Sequence, residues 1–492
     1  MQFTHHILPL AAAFTLSFLP LSIGAAEDAE SLLRRAERAM GGTEVKTIRF
    51  AGSGSGATFG QAYKPGMAWP KLTYSNFARV ADYENAAFRE DFARSRAEPN
   101  GGGAVPLQGT GEQRASAFLR GADAWNQVGP TAFAPALAAV DGRIHDLWTT
   151  PHGVIKAALK NKATVSFRTE GGKSLAVVSF TEPGRFAATA FINTDNLVER
   201  VDSKMPHPVT GDLATVTTYS DYRDHNGVKF PMRMRQSQGS FPVLDVEFKE
   251  VVVNQPAGIQ TPDNVLNATE RVVAEKVADG VWFLAGGSHN SVAIEMKDHM
   301  VLVEAPLYDG RSNAVLAEVK KLAPGKPIRY VVNSHHHFDH AGGLRAAVAE
   351  GATLVVSGDA KPYFERVLAN PNRIRPDSMA KAGKKAKIMA FGSGKQAKKV
   401  FSDGSRNVEI HSIADSVHAE GFNLVYLPKE KLLIQADAYT PLPPNAPVPN
   451  PLNGNNVNLA QNIERLKLDV DRVLPLHGRV VPLAELRRTV GK

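Results

Sequence analysis

Apolar positions change their spacing along the chain, and the changes predict its elements. Leu32, Leu33, Ala36, Ala39 and Met40 recur at helical spacing, so one helix is expected from Ala29 to Met40, ended by Gly41-Gly42. β-Branched and aromatic runs follow at Thr47 to Ala51, Thr164 to Phe167, Leu175 to Phe180, Phe186 to Ile192, Thr215 to Tyr219, Val228 to Arg235 and Val243 to Val253. His225-Asn226-Gly227 falls between two of these runs and predicts a hairpin turn. A stretch containing Pro and Asn, Asn254 to Asn267, reads as a linker. Beyond it, strand-like runs at Val277 to Leu284, Ser291 to Glu295, Met300 to Ala305, Ile328 to Val332, Val408 to His411, Phe422 to Leu427 and Lys431 to Gln435 alternate with helical patterns at Gly342 to Glu350 and Leu459 to Leu468.

A length of 492 residues exceeds one hydrophobic core, and the pattern divides into a β-rich part, 27–262, and an α/β part, 263–492. Residues 1–26 hold no Lys, Arg, Asp or Glu; Ile7 to Ile23 is apolar but interrupted by Pro9 and Pro20, and Gly24-Ala25-Ala26 offers a small-residue cleavage site. This stretch resembles a secretory signal peptide and implies a periplasmic or secreted protein beginning at Glu27. No later segment has the roughly 18 consecutive apolar residues of a membrane span, so no transmembrane span is expected. The chain has no cysteine, which excludes disulfides, thiolate ligands and a thiol nucleophile. Its net charge is +8, with Lys381, Lys384, Lys385, Lys387, Lys395, Lys398 and Lys399 close together; these predict a solvated insertion loop, and no nucleic-acid partner is expected.

The run Val331-Val332-Asn333-Ser334-His335-His336-His337-Phe338-Asp339-His340-Ala341-Gly342-Gly343 concentrates chemistry where an apolar strand meets a helical segment. His335, His337, Asp339 and His340 supply imidazole and carboxylate, a set suited to zinc and similar borderline metals. This His-x-His-x-Asp-His run resembles the signature of the metallo-β-lactamase superfamily, over about the last 225 residues. The resemblance implies an α/β fold with an αββα sandwich and a two-metal site. In that reading His335, His337 and a third histidine hold one ion, while Asp339, His340 and His477 hold the second and Asp437 bridges. His418 and His411 compete as the third histidine, and the Gly421 turn with its apolar strand favours His418. His336 is expected to face away, Glu304 to support the ligands from behind, and His289 to be a solvent-facing loop residue.

The same resemblance implies an enzyme: a hydrolase with two divalent metal ions, zinc first and iron or manganese as options, and a small-molecule substrate. Such a site supplies hydroxide at neutral pH to an ester, lactone, amide or related bond, with Asp339 as the catalytic residue that orients the nucleophile. Alternatives are a β-lactamase, an iron-dependent sulfur dioxygenase, or a periplasmic lipid or lipoprotein carrier with a structural metal domain. A histidine at position 337, where the oxygen-reducing branch has a carboxylate, favours hydrolysis. The β-rich part is similar to the half-barrel of periplasmic lipoprotein-carrier domains, which implies room for an apolar or acyl ligand. All proposed ligands lie after Asn267, so a fragment from there to Lys492 is expected to fold and bind metal alone.

Overall fold

A computed structural model describes residues 28–98 and 111–492. The expected leader, residues 1–26, lies outside the described residues. The opening helix spans Ala29–Ala39, capped by the Asp28 carboxylate on the Ser31 amide, and buries Leu32, Leu33 and Ala36. A 13-stranded antiparallel sheet follows, in which nearly every strand pairs with its neighbour in sequence. The exception is a seam where the first strand, Thr47–Ala57, pairs with the last, Phe241–Val253. His225, Asn226 and Gly227 form the expected hairpin turn, with φ of 56° at Asn226 and 85° at Gly227, the left-handed pair that a two-residue loop between twisted strands requires.

Two parts of this domain go beyond the expected pattern. Strands Lys71–Asp82, Ala87–Arg96, Gln113–Arg120 and Asp123–Gln127 extend the sheet. Their alternation is broken, as where the register shifts between Tyr74 and Asn76, and alanine and arginine stand where β-branched residues would mark a strand. Helices Val140–Trp148 and Pro151–Lys160 are also present; Leu147, Val154, Ile155, Ala157 and Ala158 share one core with Phe50, Phe186, Phe230 and Phe248 of the sheet.

Residues 254–272 have no regular strand or helix, but Ile259 and Val265 pack with Phe118 and Trp125, tying the linker to the first domain. The second domain has two sheets. One carries seven strands ordered along the chain from Val273–Ala278 to Lys387–Ala390, turning from antiparallel to parallel at Met300–Val303 and Ile328–Val332. The other carries six, from Lys398–Ser402 to Val481–Pro482. Val292, Val303, Val332 and Val355 of the first sheet meet Ile410, Leu424, Tyr426 and Ile434 of the second in a common core. Helices Asp309–Leu322, Leu344–Glu350 and Lys361–Ala369 cover the first sheet, and Gly454–Arg465 and Leu483–Thr489 pack on the second, giving the expected αββα sandwich.

The lysine-rich stretch is not a single insertion loop: Lys384, Lys385 and Lys395 lie in connections, but strands interrupt it. Lys387 lies on the edge strand Lys387–Ala390, and Lys398 and Lys399 on the edge strand Lys398–Ser402. Lysines on sheet edges keep the open backbone groups from pairing with another chain. Lys395 pairs with Asp415, and Lys398 with Glu409.

The two domains meet at the strand-to-helix turn of the second. Phe338 packs against Phe59, Trp69 and His207, with ring centroids 5.1, 6.2 and 4.8 Å away. The Phe338 amide also bonds the Gly60 carbonyl at 3.3 Å. Gly60 adopts φ +79°, and a Cβ there would sit 2.4 Å from the Phe338 ring, so the approach depends on glycine.

Candidate metal centre

Every expected ligand lies in a connection that flanks a strand of the second domain. Ile328–Val332 delivers His335 and His337, and the short helix Phe338–Ala341 carries Asp339 and His340. His418 precedes Asn423–Leu427, Asp437 follows Leu432–Gln435, and His477 follows Arg472–Pro475. The turn is locked from behind. A Cβ on Gly342 would meet the Leu307 carbonyl oxygen at 1.8 Å, so only glycine lets the chain pass there.

These side chains gather in two adjoining groups. One holds His335, His337, His418 and Asp437; the other holds His289, Asp339, His340 and His477. Asp437 reaches both. Its Oδ2 is 2.9 Å from His418 Nε2 and 3.5 Å from His335 Nε2, and its Oδ1 is 2.8 Å from His477 Nε2 and 3.1 Å from His340 Nε2. His335 and His418 face each other through Nε2 at 3.1 Å, and His340 and His477 at 3.2 Å. Nitrogens about 2.0–2.1 Å from a tetrahedral zinc ion stand roughly 3.3 Å apart, so the spacing fits ligands sharing a cation.

The outer nitrogens are used in ways that leave the inner ones free. His340 Nδ1 bonds Glu304 Oε2 at 3.0 Å, His477 Nδ1 bonds the Ser288 carbonyl at 3.2 Å, and His335 Nδ1 meets Ser334 Oγ at 3.0 Å. His337 differs: its Nε2 bonds the Ala62 carbonyl at 2.9 Å, which leaves Nδ1, buried and without a partner, for a cation. Glu304 is fully buried and also accepts from Asn333 Nδ2, Ser334 N and Ser334 Oγ, the support expected of it.

Charge balance points the same way. Burial, reinforced by neighbouring histidines, holds His335 and His337 well below the usual histidine range, so both are neutral donors. Burial also opposes a charge on His340, but Asp437, Asp339 and Glu304 outweigh it and hold this histidine well above its ordinary value. A carboxylate cluster that draws a proton onto a buried imidazole will draw a divalent cation to the same place.

A superfamily comparison decides the lineage of this domain: residues 284–474 match the model of the metallo-beta-lactamase superfamily. The C-terminal domain belongs to that superfamily. The match makes the protein a metal-dependent hydrolase. Solved structures similar to this metallo-beta-lactamase domain include a metallo-beta-lactamase from Pontibacter korlensis (19% identity, 45% of this chain and 97% of that one, TM-score 0.35). Others are FIM-1 from Pseudomonas aeruginosa in its mono-zinc form (17%, 45% and 94%, 0.34) and an enzyme from Hirschia baltica (19%, 44% and 95%, 0.34). Comparison with curated proteins gives no match.

Within the metallo-beta-lactamase domain, the structure brings together all seven expected residues and keeps His336 and His411 out. His411 sits on its strand with Nε2 on Glu409 at 2.8 Å, outside both groups. His336 bonds the Ala62 carbonyl at 2.8 Å and joins neither group. His289 corrects the sequence reading. It is buried rather than solvent-facing, with Nε2 3.2 Å from Asp339 Oδ2 and Nδ1 2.9 Å from Ser288 Oγ. Fully buried Arg311 holds its loop by donating to the carbonyls of Arg271, Ala285 and His289. The sequence offered one signal, a histidine in a Gly-Gly-Ser-His-Asn loop between strands, but nothing in that loop revealed the buried arginine beneath it. Gln61 was missed altogether: its Nε2 donates to Asp339 Oδ1 at 2.8 Å from 278 residues away in the chain.

Proposed function

We propose that the protein is an exported, dinuclear zinc hydrolase acting on a small molecule through an ester, lactone, amide or related bond. His335, His337 and His418 would hold one ion and His289, Asp339, His340 and His477 the other, with Asp437 within reach of both groups. The observation that carries this reading is Asp437, whose two oxygens each face a different group of histidines. A carboxylate so placed belongs to a site for two cations sharing a bridge rather than one. When bound, two such ions acidify water to a nucleophile near neutral pH and stabilise negative charge at the attacked centre.

The chain's own contribution is to orient and exclude. His335 and His337 are buried and neutral and present one free nitrogen each, so these donors are fixed before anything binds. Asp339 has one oxygen tied to Gln61 and the other near His289 and His340, at 3.2 and 3.7 Å, where it would help to hold the second ion and orient the attacking water. Metal analysis of protein purified without added metal, followed by turnover of ester, lactone, amide and β-lactam panels, tests the reading. Two equivalents of zinc and turnover of a carbonyl substrate are expected. Iron with oxygen consumption on a persulfide, or metal with no turnover of any panel, would replace the proposal with the dioxygenase or the carrier reading. Intact mass of the exported protein is expected to begin at Glu27.

A further inference from the structure

Four consecutive residues of the first domain, Gly60 to Tyr63, each make a contact with the metal centre of the second. The Gly60 carbonyl accepts from the Phe338 amide. Gln61 Nε2 donates to Asp339 Oδ1, and the Ala62 carbonyl accepts from both His336 and His337. Tyr63 accepts the Glu420 amide through its carbonyl at 2.8 Å and donates its hydroxyl to the Ser416 carbonyl at 3.0 Å, so it holds the turn that carries His418. The segment is anchored in its own domain by the bond from the Thr58 amide to the Pro70 carbonyl and by the packing of Phe59 on Trp69. One short segment therefore touches two of the three connections that supply the first group of ligands, and the carboxylate of the second.

Gln61 is the member of this segment with the side-chain chemistry to act on the site. It is 8% exposed, and its Oε1 is buried without a partner. Leaving a buried amide oxygen unpaired is unfavourable, so a residue present only for packing would more readily be apolar. Its amide N–H occupies one oxygen of Asp339 without adding a positive charge that would compete with a cation. The other oxygen is thereby turned toward His289 and His340. A lysine or arginine in its place would satisfy Asp339 but repel the second ion, whereas an aliphatic residue would let the carboxylate rotate.

We propose that Gln61 is a positioning residue for Asp339, and that the first domain is thereby a working part of the metal centre. The inference rests on the dinuclear reading above. Its test uses the full chain, stripped of metal and titrated with zinc against a chromogenic chelator, for the wild type and Gln61→Leu. Leucine keeps the buried volume and removes the donor.

Gln61→Leu is expected to retain the first zinc and to bind the second about 10- to 100-fold more weakly, the range seen when a group supporting a ligand is lost. The metal-free melting temperature of Gln61→Leu should stay at or above that of the wild type. At saturating zinc, kcat should fall while KM changes little. Wild type taking up fewer than two ions would overturn the dinuclear reading and this inference with it. Two ions in the wild type, with undiminished second-site affinity in Gln61→Leu, would overturn the inference alone. A loss of zinc matched by a collapse of the metal-free melting temperature would assign Gln61 a packing role and likewise overturn it.

Discussion

Replacing Glu304 with glutamine tests how the ligands are held. The carboxylate is fully buried and receives four donors: Asn333 Nδ2 at 2.9 Å and Ser334 N at 3.1 Å on Oε1, and Ser334 Oγ at 2.6 Å and His340 Nδ1 at 3.0 Å on Oε2. These bonds also hold Glu304 at φ +75°, a conformation that a non-glycine residue adopts only under constraint. An amide can accept on one side alone. If its NH2 faces Asn333 and Ser334 N, two donors meet two donors, and losing two bonds to a charged acceptor costs roughly 3–6 kcal/mol. If it faces Ser334 Oγ and His340, the hydroxyl can turn, but His340 must give up its Nδ1 proton and keep the one on Nε2. That nitrogen is the one facing Asp437 and His477. Glu304→Gln is therefore expected either to lower the metal-free melting temperature or to weaken the second zinc site by about 10-fold or more, the smaller loss falling where the larger is avoided. Differential scanning calorimetry with and without zinc, and zinc titration, read both. A variant that melts and binds zinc as the wild type does would refute the account of Glu304.

Three further outcomes follow from the geometry. His418→Ala is expected to release zinc from the first group and abolish turnover, while His411→Ala keeps full metal content; the reverse pattern in elemental analysis would move the third ligand to position 411. Two buried histidines away from the ligands, His152 and His207, are held by burial at about 4 and about 3. Because their folded values lie below the ordinary 6.5, their contribution is complete above pH 6.5 and is lost as pH falls from there toward 4, by up to about 3 kcal/mol each at pH 4; a metal-free melting temperature that is flat across this window would contradict the burial. A fragment from Asn267 to Lys492, expected from sequence to bind metal alone, would expose Phe338 and leave His336 and His337 without the Ala62 carbonyl. It should be poorly soluble or bind zinc more weakly than the full chain, and wild-type affinity in a soluble fragment would show that the first domain is dispensable.

The ligands were legible wherever the chain itself places them together or at strand ends. Four of them fall within six residues, and His418, Asp437 and His477 each stand beside an apolar run that marks its strand. His289 and Gln61 were not legible because their roles depend on what lies beneath or across from them, a buried arginine in one case and another domain's carboxylate in the other. The same limit applies to the fold. Strands with clear alternation, such as Thr215 to Tyr219, stood out, whereas Lys71–Asp82 carries a register shift that erases its period. The lysine stretch misled for a related reason, since charge that marks a loop in isolation marks an edge once strands flank it.

The seam in the large sheet has a bearing on how the chain acquires its shape. Most strands can zip onto the neighbour just synthesised, but Ile48 must wait for Val253, about two hundred residues later. Closing so long a loop comes after local hairpins have formed, which makes two separate ladders early and joins them late. The strand on the waiting side of that seam ends at Ala57, and Gly60 to Tyr63 follow directly. The stretch that completes the metal centre is thus tethered to the slowest pairing in the sheet, so an assembled site reports that the last half of the molecule has found the first.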